Sequence, residues 1–188
     1  MVYKVVMASG QTDAAFSLRR GLPGDARAIL EVHRSAVRTS ASAHYSQAVL
    51  DEWGPIHIVP ERVKTFERWI ERGEELIVVA VDPAEKVIGF GSIVPSNSEL
   101  RAVYVAAEHG RRGIGRAILS QLETLARDVG LNELCMDASI NAVPFYETNG
   151  FTSLGRAEHS LSSGGRMSCM RMSKSLGRLS SAGANFVL

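Results

Sequence analysis

The stretch ELRAVYVAAEHGRRGIGRAILSQLETLARDVG, residues 99–130, limits the possible folds more than any other part of the chain. It opens on a β-branched run and crosses a loop holding Gly110, Gly113 and Gly115. It then enters a helical pattern whose apolar face is Ile114, Ala117, Ile118, Leu122, Leu125 and Val129, and Gly130 ends it. A second strand pattern, ELCMDAS at 133–139, comes directly after. A strand, a crossover helix and a strand imply a parallel pair, so the chain needs a sheet with at least one parallel step.

Upstream of this unit the pattern is antiparallel. ELIVVAVD and VIGFGSIVP are strands joined through Asp82-Pro83-Ala84-Glu85-Lys86, and the polar link Ser96-Asn97-Ser98 leads into the strand at 99–105. Three helices precede the meander. Asp25 stands as N-cap of the first, whose face is Ile29, Val32, Ala36 and Val37. Ser46 caps a short second one, and Pro60 opens a third that Gly73 stops. FSLRR at 16–20 reads as an initial strand, AVPFYETNG as a short helix, and FTSLGRAEHSL with RMSCMRMSK as a closing hairpin. The expected architecture is α/β: a mixed sheet made of an antiparallel meander, one parallel βαβ step and a C-terminal hairpin. It forms one domain over 16–174, with a loose leader at 1–15 and a mobile tail at 175–188.

Composition narrows the partners. The 21 basic and 20 acidic residues nearly cancel, so no global field draws the protein to nucleic acid or to an anionic membrane. No apolar run approaches the ~20 residues of a membrane span. Cys135 and Cys169 lack the spacing of a metal site or a disulfide framework, which argues against a bound metal and for a reducing cytoplasm. Charge-based recognition is then local, and the arginine-rich loop at 110–116 is the place for it.

Between a strand and a helix, residues 110–115 can turn successive N–H groups toward an anion at the positive end of the helix dipole. A plain tight turn with solvated arginines satisfies the same glycines. Two phosphate motifs fail on spacing. No GxxxxGK[ST] frame exists, and GxGxxG starting at Gly113 meets Ile118 where its third glycine belongs.

The loop Gly110-Arg111-Arg112-Gly113-Ile114-Gly115 resembles the Q/R-x-x-G-x-G/A signature of the GNAT superfamily of N-acetyltransferases, which move an acetyl group from acetyl-CoA to an amine. SINAVPFYETNGF is similar to the family's second conserved region, with one residue fewer between Asn141 and the aromatic pair. Gly110 departs from the pattern, which has Gln or Arg there. The resemblance covers residues 16–174 and implies the GNAT fold. It implies that backbone groups of the loop, with Arg111, Arg112 and Arg116 beside them, hold the coenzyme diphosphate. The strand Val103-Tyr104-Val105 would pair with the pantetheine arm, Val105 N–H would face the developing oxyanion, and Asn141 would bond the coenzyme arm.

An alkyl amine is only about one part in 2,500 neutral at pH 7, a deficit of about 4.6 kcal/mol, so the reaction calls for a base. Glu99 lies where several members of the family carry a catalytic glutamate; a water relay is the alternative. Tyr146 lies where the family has its general acid, facing the coenzyme sulfur. The acceptor pocket is expected between the N-terminal helices and the last hairpin, near His44, Tyr45, Trp53 and His159. Small amines, amino acids, antibiotics and peptide amines all stay open as acceptors. A homodimer stays open too, as does a non-catalytic acetyl-CoA-binding module.

Overall fold

A computed structural model describes residues 16–161 and 164–177; the expected leader and most of the expected tail lie outside the described residues. The elements run β1 (Ser17–Arg20), α1 (Ala26–Ser40), α2 (Gln47–Trp53), α3 (Pro60–Arg72), β2 (Leu76–Val81) and β3 (Val87–Val94). They continue through β4 (Glu99–Val105), α4 (Ile114–Asp128), β5 (Glu133–Ser139), α5 (Val143–Thr148), β6 (Thr152–Ser160) and β7 (Arg166–Ser175). The sheet has seven strands in the order β1-β2-β3-β4-β5-β7-β6. All neighbours are antiparallel except β4 and β5, the parallel step expected of the crossover. Among the described residues no helix is long and apolar enough to cross a membrane.

The sheet separates two apolar layers. On one face α4 lays Ile114, Ile118, Leu119, Leu122 and Leu125 against Val78, Ile88, Leu100, Leu134, Met136 and Met172. On the other, α1 and α3 cover Ile77, Val79, Val81, Phe90 and Ala102 with Ile29, Val32, Phe66 and Ile70. The glycines of VIGFGSIV explain the close approach of α4. A Cβ on Gly91 would stand 2.7 Å from Leu122 Cδ1 and 2.8 Å from both Ile118 Cγ2 and the Ala102 carbonyl. Only a bare backbone lets the helix settle there.

Turn chemistry fixes the meander. Asp82 Oδ1 accepts the N–H groups of Ala84 and Lys86, each at 2.9 Å, which folds the 82–86 link. Gly73 takes φ 67° at the C-terminus of α3, the left-handed cap expected of it. Asp25 and Ser46 stand at N-cap positions, but neither side chain bonds its helix. Asp25 instead accepts the Arg19 fork at 2.7 and 2.9 Å and the Leu22 N–H at 2.8 Å, pinning β1 to the turn before α1. Leu176, one residue past β7, is buried and donates its N–H to the Asn132 carbonyl at 2.8 Å.

Candidate active site

Strands β4 and β5 pair only at their start. Glu99 stands opposite Cys135, and Cys135 N–H donates to the Ser98 carbonyl at 2.8 Å. Beyond that point the two strands part, although β4 remains paired to β3 as far as Val105. Ala106 N–H donates to the Ile88 carbonyl at 2.9 Å, so alternation along the strand turns the peptide groups of Val103 and Val105 the other way, toward the gap. The gap is thus edged by unpaired backbone groups, the kind of edge that a linear amide-bearing ligand completes. The side chains of Val103 and Val105 pack in the α4 layer. Tyr104 points to the opposite face, where His33, Phe90 and Trp53 surround its ring at centroid distances of 4.7, 5.6 and 6.4 Å.

The glycine loop stands at the wide end of this gap. Arg111 has φ 60° and Gly113 φ 77°, two left-handed residues that fold the backbone into the N-terminus of α4. The first helical bond returns from Ala117 N–H to the Gly113 carbonyl at 3.0 Å, which leaves the N–H groups of Ile114, Gly115 and Arg116 without helical partners. A Cβ on Gly113 would meet only open space, so the surface above it is bare. Gly115 is different: a Cβ there would point inward, in ordinary contact with the Phe145 ring at 3.5 Å and Val105 Cγ2 at 3.7 Å. Ile114 buries its side chain in the core. Gly110 is extended at φ −61° and needs no glycine-only conformation. Arg111, Arg112 and Arg116 are exposed and form no ion pair among the described residues, which keeps them available to an anion.

A cavity of about 990 Å³ opens from the gap toward α1, α2 and α3. Tyr146 lines it from α5 and is only 4% exposed, wedged against Phe145 and Phe151 at 5.0 and 5.5 Å. Burial pushes its phenol well above the ordinary tyrosine value. Asn141 also lines the cavity. Its Nδ2 reaches Ser40 Oγ at 3.5 Å while its Oδ1 is buried with no hydrogen-bond partner. An orphaned amide oxygen beside a row of free peptide groups suits an N–H donor arriving with a ligand.

Glu99 lines the same cavity, but it is not a free carboxylate: Arg101 Nε and Nη2 donate to its two oxygens at 3.4 and 3.2 Å. The pairing of β3 and β4 slips at this point. Leu100 opposes Ile93 and Ala102 opposes Ser92, and the unpaired Arg101 forms a β-bulge that aims its guanidinium at the carboxylates. Of the expected acceptor-side residues, Trp53 and His159 line the cavity. His44 is exposed outside it, and the Tyr45 hydroxyl is spent on the Ser168 carbonyl at 2.7 Å and the Ile140 N–H at 2.8 Å, tying the α1–α2 link to the sheet. Two residues the sequence reading passed over belong to the wall: Glu75, directly before β2, and His33. Burial, helped by the nearby Arg62 charge, drives the His33 imidazole down to about 4. Its position four residues from both Ile29 and Val37 was the available sign that it faces inward.

The family described as "Acetyltransferase (GNAT) domain" matches residues 41–174. The chain belongs to the GNAT acetyltransferase family. It is 32% identical over 135 residues to the uncharacterized N-acetyltransferase YafP of Escherichia coli (strain K12), covering 71% of this chain and 79% of that one. Among solved structures, a GCN5-related N-acetyltransferase from Rhodopseudomonas palustris superposes with a TM-score of 0.76 at 23% identity, over 88% of this chain and 99% of that one. A GNAT superfamily phosphinothricin acetyltransferase from Sinorhizobium meliloti, solved in complex with acetyl-CoA, has a TM-score of 0.66 at 20% identity, over 92% and 95% of the two chains. The seven-stranded mixed sheet is the GNAT fold, and acetyl-CoA-dependent acetyl transfer is the class of activity that membership carries. Among the described residues no cluster of side chains is arranged to hold a metal ion.

Proposed function

We propose that this GNAT protein moves the acetyl group of acetyl-CoA onto a primary amine by direct attack inside the gap between β4 and β5. The observation that carries the reading is the parting of these strands beside a left-handed glycine turn, which leaves peptide edges and helix-terminal N–H groups facing one channel. Acetyl-CoA supplies an activated thioester, and the residues here fit it: open space above Gly113 for a diphosphate, the peptide groups of Val103 and Val105 for an amide-bearing arm, and the orphaned Asn141 Oδ1 for an N–H.

The residues divide the work. Arg111, Arg112 and Arg116 attract the diphosphate, while Gly113 lets it approach the backbone. Val105 N–H donates to the oxygen on which negative charge develops, a fixed dipole that needs no reorganisation. Tyr146, a neutral phenol at working pH, delivers its proton to the departing sulfur. Glu99, or a water it orders, takes the proton that the amine must lose. The protein works in the cytoplasm.

The test is incubation of the protein with acetyl-CoA and a broad panel of primary amines and amino-terminal peptides, read by mass spectrometry. The expected result is protein-dependent release of thiol together with an amine heavier by one acetyl group. Tight acetyl-CoA binding with no acetylated amine from any member would leave a coenzyme-binding module and contradict the proposal.

A further inference from the structure

The wall of the cavity holds a carboxylate that the reaction above leaves unused. Glu75 is only 4% exposed, yet it lines the cavity. One oxygen, Oε1, accepts from Arg101 Nη1; the other, Oε2, is buried and makes no hydrogen bond. A buried carboxylate oxygen without a donor is costly and rare, and it marks a place where a donor is missing. Burial raises the carboxyl above its ordinary range, against the Arg101 charge and the neighbouring Ser92 hydroxyl, which favour ionisation.

Arg101 does not neutralise this corner. Its single guanidinium is shared between Glu75 and both oxygens of Glu99, one cation facing two carboxyl groups. Of the other two arginines on the cavity wall, Arg171 is forked onto Asp137 at 3.0 and 3.3 Å, and Arg62 stands on α3 near His33. A compact donor with positive charge completes the set, and an alkylammonium is such a group. The wall of the same cavity also carries aromatic rings. Trp53, Phe66 and Tyr104 line it, and Trp69 exposes 38% of its surface at the α3 side, an apolar ring left open to solvent at a cavity wall.

We infer that Glu75 docks the ammonium of the acceptor and that the acceptor is an amine with an apolar, ring-sized body and no carboxylate near its nitrogen. The inference rests on the acetyltransferase reading and names its substrate class. Glu75 selects for positive charge and, with Glu99, repels an α-carboxylate; Phe66 and Trp69 hold the body. Arg101 bridges Glu75 to Glu99, the proposed base.

Four probes separate the terms: phenethylamine, phenylalanine, propylamine and spermidine. Phenethylamine is expected to give the highest kcat/KM. Phenylalanine carries the same ring with a carboxylate and is expected to fall below it by about tenfold or more; propylamine, lacking the ring, is expected to have the higher KM. Glu75→Gln keeps the shape and is expected to raise the KM for phenethylamine by about tenfold or more, with kcat and acetyl-CoA affinity near wild type. The exposed Trp69→Ala does not depend on refolding the buried corner. It is expected to raise the KM for phenethylamine and leave that for propylamine unchanged. Phenylalanine or spermidine as the best of the four, turnover of none of them while other amines are acetylated, or Glu75→Gln and Trp69→Ala kinetics matching wild type would each overturn the proposal alone. Acetylation of no amine at all overturns the reading beneath it.

Discussion

His33 gives the fold a measurable acid sensitivity. The imidazole sits edge-on to Tyr104 at 4.7 Å and to Trp53 at 6.4 Å, and burial holds its pKa down at about 4 against 6.5 for a free side chain. The folded protein keeps His33 neutral, so between these values the unfolded chain binds more protons and stability rises with pH. The contribution is fully present above the unfolded pKa and is lost as pH falls through 6.5 toward 4. Integrating the difference gives a loss of about 2 kcal/mol from pH 7 to pH 5 and about 3 kcal/mol below both pKa values. Urea unfolding of the wild type and of His33→Gln at a series of pH values isolates the term, because the other titrating groups are common to both chains. The expected result is a gap between the two stability curves that closes by about 2 kcal/mol over that range. Two curves that run parallel would mean that His33 titrates normally in the folded state, and the burial argument would be wrong.

Gly91→Ala puts a methyl group within 2.8 Å of a backbone carbonyl and two α4 side chains, and urea unfolding should show a loss of about 1–3 kcal/mol. Tyr146→Phe keeps the ring against Phe145 and Phe151 and removes the hydroxyl; acetyl-CoA binding by calorimetry should persist while turnover falls by about 10²–10⁴-fold. Glu99→Gln should be most impaired near neutral pH and recover at high pH, where the acceptor amine, of pKa about 10.4, loses its proton unaided. A pH–rate profile parallel to the wild type at every pH would assign the base elsewhere.

What the sequence could announce was periodicity and turn chemistry. The face of α4 from Ile114 to Leu125, the Asp82 turn, the left-handed Gly73 and the strand–loop–helix unit around Gly113 each follow from local residue choice and stand where the pattern put them. Val129, expected on that face, instead lies past the helix end and is exposed. Partnership between distant elements was harder to read. The hairpin order is one case: β7 rather than β6 lies beside β5. A trace of it exists, since Met167, Cys169 and Met172 of β7 are buried while β6 is exposed almost throughout, as TSLGRAEHS with its few apolar residues suits an edge. The parting of β4 from β5 and the bulge at Arg101 leave no local mark, because both depend on what the neighbouring strand does. Glu75 follows Gly73 and Glu74 and looks like one more solvated residue of a turn; only the fold reveals that Ser92 and Arg101 close over it. Gly115 shows the converse. Its place in the motif suggests a ligand contact, yet its Cβ direction faces the Phe145 ring and Val105 rather than open surface.

The channel between β4 and β5 can be tested directly by following the backbone amide resonances of the assigned protein as acetyl-CoA is added. The account predicts large, saturable shifts confined to the glycine turn and the start of α4, Arg111 through Arg116, to Val103 and Val105 along the open edge of β4, and to Asn141 and Tyr146 across the gap. It predicts small shifts on β1 and β2. Saturable binding that leaves the amides of Gly113 and Val105 unmoved while perturbing a different surface would contradict it.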